Sequence, residues 1–294
     1  MTDLAEPLVE APVVASAPDP AAVAAPLLVT LPTGVLPPGS RRRLGIPRGI
    51  ERLLGVVAFF ALWETAARVG WLDPHTLAGP STVLTVGKDL VVDGTLPHAL
   101  WASLQRVLWG LGFGIPIGVG LALVAGLTRV GEDLVDNNVQ MLRFVPIIAL
   151  SPLLILWEGV GESTKVTMIA IGVSLTIYMN THAAIRSIDP GHHELARVVG
   201  LGRRQRIGRI VLPGALPGFF VGLRLAVSIA WLLLVFAEQI NASTGLGYLI
   251  SKAQLLSQTD RIVVCIVVYA VLGLASDALV RTLERRVLRW QPGR

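Results

Sequence analysis

Six stretches of the chain are apolar for long enough to cross a bilayer: 53–72, 104–127, 139–157, 165–185, 216–240 and 262–280. A span requires about 20 mostly apolar residues at a rise of about 1.5 Å each. None of the six alternates apolar and polar positions with period two, so strands of a membrane barrel are excluded and helices are predicted. Several are punctuated. Pro116 follows the glycine-rich run from Gly112 to Ile115, and Pro146 and Pro152 fall within the third stretch. Proline removes a backbone donor and kinks a helix, and at membrane depth the freed carbonyl must meet protein or water. The pattern therefore predicts an all-α membrane protein of six transmembrane helices, some of them kinked to pack closely or to line a pathway.

Composition agrees with this pattern. Hydrophobic residues make up 53% of the 294 and charged residues 15%, with a mean hydropathy of +0.65. A soluble domain carries about 25% charged residues. The net charge of +5 does not indicate a nucleic-acid partner, because the arginines are scattered between apolar stretches and form no basic face. Cys265 stands alone inside an apolar run, so no intrachain disulfide is possible. Residues 1–40 are rich in Ala, Pro and Val and carry Asp3, Glu6, Glu10 and Asp19 with no basic residue before Arg41. A secretory signal needs a basic start and a compact apolar core. The chain is therefore read as a disordered N-terminal tail over 1–50 and a membrane domain over 51–294.

Charge asymmetry sets the direction. With the N-terminus in the cytoplasm, the inner segments hold 17 arginines, among them Arg41 to Arg43, Arg129, Arg203, Arg204 and Arg285. The outer segments hold Lys88, Lys165 and Lys252, with Arg106 and Arg261 at span edges. Short cytoplasmic loops concentrate Lys and Arg, so both termini are expected in the cytoplasm.

The loop between the fourth and fifth spans, 186–215, is the most informative segment. Asp189–Pro190 reads as a helix start, an N-cap oxygen followed by a residue whose absent N–H would have been unpaired anyway. Leu195, Val198 and Val199 share one face, and Gly200 or Gly202 supplies a left-handed end. A second short helix is expected from Arg203 to Leu212, stopping at Pro213. The spacing Glu194, Ala196, Gly200, Ile210, Leu212, Pro213 resembles the Glu-Ala-Ala loop of the permease subunits of ATP-driven (ABC) importers, with Leu195 where the family usually has Ala. In that family the loop is a coupling helix seated in a groove of the ATPase subunit. A helix lying on the inner membrane surface is the bland alternative.

The resemblance covers about 50–290. Pieces such as Leu142–Arg143–Phe144–Val145–Pro146, Gly161–Glu162 with Lys165, Asn180–Thr181, Gly222–Leu223–Arg224, Ala237–Glu238 and Gly245–Leu246–Gly247–Tyr248 are similar to the branch serving nitrate, taurine and alkanesulfonates; Glu158 departs from it. The resemblance implies a five-helix importer-permease core plus one N-terminal helix, placed in the bacterial inner membrane. It implies as partners a pair of ATPase subunits, an extracytoplasmic solute-binding protein, a second copy of the chain and membrane lipid. It implies no cofactor in this chain, ATP and Mg being bound by the ATPase. For the solute it implies a small oxyanion, alkanesulfonate or taurine first and nitrate second, with bicarbonate and heterocyclic vitamin precursors open.

Charges within spans narrow the site. Glu64 and Arg68, four apart, read as a helical ion pair, and Arg143 and Arg224 as side chains reaching the interface. Glu238, beside Gln239 and Asn241 and ahead of Gly245 and Gly247, is the costly one, at about 2.5–3.5 kcal/mol on insertion scales. It is read as the polar anchor of a turn closing an outer gate, in preference to a solute contact, since a bare carboxylate repels an anion. Glu238, Asn241, Gly245, Gly247 and Asn180 are the candidate pathway residues. His192–His193–Glu194 lacks the i, i+4 histidine pair of a zinc-protease helix, no phosphate-binding P-loop is present, and no nucleophile elbow occurs. A catalytic or metal site is thus not expected. A secondary transporter would favour a repeated half and several intramembrane carboxylates, and neither is found.

Overall fold

The computed structural model describes residues 48–73 and 76–290, with backbone alone at 48–53, 56, 193 and 241. The expected tail and the arginines at 41–43 lie outside the described residues. The chain divides into two units, Met1–Leu54 and Gly55–Arg294, and the account below concerns the second. Among the described residues every regular element is helical.

The helices run α1 (Arg48–Arg68), α2 (Pro80–Val92), α3 (Thr95–Leu127), α4 (Arg129–Gly131), α5 (Asn137–Leu142), α6 (Ser151–Glu158), α7 (Glu162–Arg186), α8 (Pro190–Val198), α9 (Arg203–Arg206), α10 (Leu212–Asn241), α11 (Leu246–Leu255) and α12 (Thr259–Val287). Among the described residues four are long and apolar enough to cross a membrane: α3, α7, the continuous rod Arg203–Ile240 that carries α10, and α12. At about 1.5 Å per residue, α3 is about 50 Å long and reaches beyond a hydrocarbon core of about 30 Å.

The third expected span is not one helix. Arg129–Leu142 and Ile147–Glu158 meet at 91°, with Pro146 extended between them and Pro152 in the first turn of α6. Pro116 and Pro217, by contrast, lie inside unbroken helices. The residue before a proline resists the helical region, and the break falls where residues 143–146 are all exposed. The first expected span, 53–72, closes at Arg68. Two helices went unread, α2 and α11, each too short to show as a span.

The expected second loop helix is also different. α9 passes through a π-helical turn, Ile207–Val211, straight into α10, so Pro213 does not stop it. Leu212 N–H already bonds five residues back, to Ile207, and this wider ladder absorbs the donor that proline lacks.

α7 is the central rod. It runs parallel to α3, and the contact is a ladder of small residues. Gly110 faces Ile169, Gly114 faces Val173, Gly118 faces Ile177 and Gly126 faces Ile185. Small residues at every fourth position, four glycines and Ala122, line one face, so the backbones approach closely, as membrane helix pairs favour. A β-carbon at Gly114 would stand 2.6 Å from Val173 Cγ1. On its other side α7 meets α10 running the opposite way, with Gly218 and Gly222 against Ala184 and Asn180. The principal core joins these three helices through Val107, Met168, Ile169, Val173, Phe220 and Leu234. Among the described residues the outward faces of α3 and α12 remain apolar and uncovered, with Leu108, Phe113, Val271 and Leu274 more than half exposed, as suits a lipid-facing surface better than a soluble one.

Candidate functional site

Because α3 and α7 run in parallel and α10 runs back, the first turns of α3 and α7 meet the last turns of α10. A buried polar assembly forms there. Glu238 on α10 is 1% exposed. It accepts from Ser103 Oγ at 2.7 Å, Arg106 Nη1 at 2.6 Å, the Gly247 N–H at 2.8 Å and Tyr269 Oη at 3.4 Å. Ser103 Oγ in turn accepts the Leu246 N–H at 2.9 Å. The two leading amides of α11 are thus satisfied by α3 and α10, where the positive end of a helix favours a carboxylate. Gly245, with φ +123°, enters this turn where a β-carbon would stand 2.6 Å from Arg106 Nη1. Side-chain-bearing residues are excluded twice over, by backbone and by space. Gly247 is equally tight, since a β-carbon would lie 2.7 Å from Glu238 Cβ.

Arg106 completes the assembly and was missed in the sequence, where it read as an outer span edge. It is 4% exposed, and all five of its N–H groups are engaged: Glu238 and the Thr244 carbonyl at Nη1, Thr244 Oγ1 and Glu162 at Nη2, and Glu162 again at Nε. Lys165 Nζ reaches the same Glu162 oxygen at 2.9 Å. A charged pair in a low-dielectric interior persists only with such complete hydrogen bonding. One signal could have found it: a carboxylate and a guanidinium each isolated in apolar runs need one another.

Of the other expected pathway residues, Asn180 sits apart. Its amide donates to the Thr176 carbonyl at 2.9 Å, and it lies 18 residues along α7 from Glu162, about 27 Å away. The side chain of Asn241 lies outside the described residues. Glu64 pairs with Arg68 at 2.7 Å and also takes the Ser81 N–H and Oγ. Arg224 meets Asp277 at 3.1 Å, and Arg143 lies over the Phe144 ring.

At the other end of α7, a second assembly precedes the loop. Tyr178 Oη and Gln140 Nε2 donate to Asp136, at 2.8 and 2.7 Å, His182 Nδ1 stands 3.5 Å from it, and Arg186 pairs with Glu132. Glu132–Asp136 is a π-helical turn, so the bent third segment is clamped to the last turns of α7. Nothing in the sequence spacing disclosed the contacts with α7, because Tyr178, His182 and Arg186 lie more than 40 residues from their partners.

The loop itself is built as a presented helix. Asp189 Oδ1 accepts the Gly191 N–H at 2.8 Å and Pro190 opens α8. At its end Leu201 N–H bonds the Ala196 carbonyl and Gly200 N–H the Arg197 carbonyl, with Gly200 at φ +73°. These two bonds define a Schellman end; Gly202, at φ −64°, is not left-handed. Ala196 is buried, Ile210 and Pro213 are half-buried, and Glu194, Gly200 and Leu212 are exposed. Leu195, Val198 and Val199 stand 62%, 85% and 65% exposed, an apolar face that none of the described residues covers.

Fold and site together define a multi-pass helical membrane transport component: apolar rods, a buried charge cluster at one end and a capped, projecting helix at the other. The chain belongs to the family of binding-protein-dependent transport system inner membrane components, which matches residues 114–289. It is 44% identical over 236 residues to a putative aliphatic sulfonates transport permease protein of Escherichia coli (strain K12), covering 80% of this chain and 90% of that protein. It is 31% identical over 258 residues to a taurine transport system permease protein of the same organism, covering 84% and 92%. Its fold matches a chain of a bacterial ABC transporter involved in the import of the acidic polysaccharide alginate, with a TM-score of 0.56, 19% identity, and coverage of 81% and 94%. As a permease subunit the chain is not itself an enzyme.

Proposed function

We propose that this protein is the permease of an ATP-driven importer for aliphatic sulfonates or taurine. It works as a dimer of two copies, with six spans each and both termini cytoplasmic. Helix α1 is the added span, and α5 and α6 together make the bent one. The apolar faces of α3 and α12 meet lipid. A pair of ATPase subunits, which bind ATP and Mg, docks on the 186–215 loop, and an extracytoplasmic binding protein delivers solute to the opposite end. The solute assignment is supported by the two relatives named above. The observation that carries the coupling reading is the exposed Leu195–Val198–Val199 face of α8. In water it would be a liability; in an ATPase groove it is a contact.

Mechanically, closure of the ATPase pair moves α8. That motion passes across the short 187–189 turn into α7, whose last turns the Asp136 clamp ties to the bent third segment, and across the 200–202 turn into the continuous α9–α10 rod. Both rods end at the Arg106–Glu238 assembly, which anchors the α10–α11 turn as an outer gate. The test is co-purification of the permease with its ATPase, then uptake of alkanesulfonate into liposomes with the loaded binding protein. Uptake of nitrate or bicarbonate instead would reassign the solute. Uptake without ATP, driven by an ion gradient, would overturn the importer reading.

A further inference from the structure

Beside the buried assembly a cleft of about 460 Å³ opens at the same end of the bundle, lined by His98, Trp101, Gln105, Arg106, Trp109, Glu162 and Thr244 among others. Its charges are unevenly buried. The side chains of Arg106 and Lys165 are 4% and 5% exposed, whereas that of Glu162, which bridges the two, is 61% exposed. The asymmetry matters. Two buried cations require an anion, since an unpaired charge there is costly, but a carboxylate already in contact with water does not require these cations.

Glu162 also engages them in a replaceable way. It takes the side fork of the guanidinium, Nε and Nη2, and shares one oxygen with Lys165 Nζ. Any planar or tetrahedral oxyanion with two oxygens in reach can take the same fork. Glu238, in contrast, is enclosed by Ser103, Gly247 and Tyr269 and is not exchangeable. Trading Glu162 for a sulfonate leaves the net charge of the pocket unchanged. The walls suit the rest of the molecule: Trp101 and Trp109 stand two turns apart on α3 and offer apolar faces to a short alkyl chain.

We propose that this cleft is a solute subsite in which an alkanesulfonate headgroup displaces Glu162 from Arg106 and Lys165 while its chain lies against Trp101 and Trp109. This rests on the importer reading above and names the contacts it would use. Glu162 acts as a resident counter-ion that keeps the site neutral when empty and swings into water when solute arrives.

The experiment measures binding of radiolabelled butanesulfonate and methanesulfonate to the purified permease–ATPase complex, without binding protein, alongside uptake by the complete system. Glu162→Gln keeps the shape and removes the competing charge, so binding of both should tighten by about tenfold. Lys165→Met should weaken both by a similar factor. Trp109→Ala should weaken butanesulfonate several-fold and leave methanesulfonate unchanged. Variants are compared only where they co-purify with the ATPase as the parent does. Unchanged binding across all three, or no binding by a parent complex that imports sulfonate, would overturn the subsite and leave the importer reading standing. Equal weakening of both probes by Trp109→Ala would mark the tryptophans as an interfacial belt and would overturn the chain contact. A complex that imports no sulfonate would count against the solute assignment itself, and the same variants would then be read with the anion it does carry.

Discussion

At the level of single residues, the chemistry concentrates in one ion pair. Glu238 is enclosed by four donors from three other segments, so its removal leaves Arg106 buried with a lost partner. Breaking such a pair from one side costs about 3–5 kcal/mol. Glu238→Leu should therefore lower thermal stability in detergent sharply and abolish transport. Glu238→Gln, which retains acceptor and shape, should assemble and lose transport in part; melting by intrinsic fluorescence with uptake in liposomes reads both. If Glu238→Leu melted like the parent, the anchor role would be gone. Half of this pair was readable in advance, because a carboxylate in an apolar run must face protein or water. Arg106 was not, because near a span edge an arginine that reaches water looks the same in sequence as one folded inward.

At the level of elements, glycines decide how helices meet and end. Gly118 and Gly120 are two positions apart on α3, yet a β-carbon at Gly118 would lie 2.8 Å from Ile177 Cβ, while at Gly120 it would meet nothing within 4 Å. The two substitutions should have opposite signs. Gly118→Ala overpacks the α3–α7 contact and should destabilise by about 1–3 kcal/mol. Gly120→Ala restricts only the unfolded chain and should stabilise by up to about 1 kcal/mol. Thermal unfolding of the two variants, with equal effects, would dismiss the ladder. Gly200 presents a different case: space is open around it, but φ of +73° costs a β-carbon about 1–2 kcal/mol. Gly200→Val should leave the spans inserted and the bundle folded while weakening ATPase pull-down and uncoupling hydrolysis from the binding protein. Glu194→Ala should do so less. Normal docking by Gly200→Val would reduce α8 to a surface helix. The left-handed end was legible from its place after an amphipathic turn. The continuation of α9 into α10 was not, since a π-helical turn has no signature that a residue pattern displays.

At the level of the whole molecule, the arginine asymmetry predicts one orientation. Single cysteines at Arg204 and Arg289 in a Cys265→Ser background should be shielded from impermeant reagents in sealed cells, and cysteines at Lys88 and Lys252 should be labelled. Labelling at 204 from outside would invert the protein and with it the mechanism. That the chain is a bundle of membrane helices, where four of its crossing helices lie, and where α8 is capped were all legible in the sequence alone. Burial of some 20 consecutive apolar residues, the proline and Asp rules of helix starts, and the needs of a left-handed glycine act locally. What only the tertiary structure decided is which isolated charges meet, that α3 runs alongside α7 through small residues at every fourth position, and that the third segment bends by 91° while α3 passes through its own proline unbroken. Those outcomes depend on contacts between residues 40 to 140 apart, where the free energy of pairing and packing is settled by partners that no local pattern names.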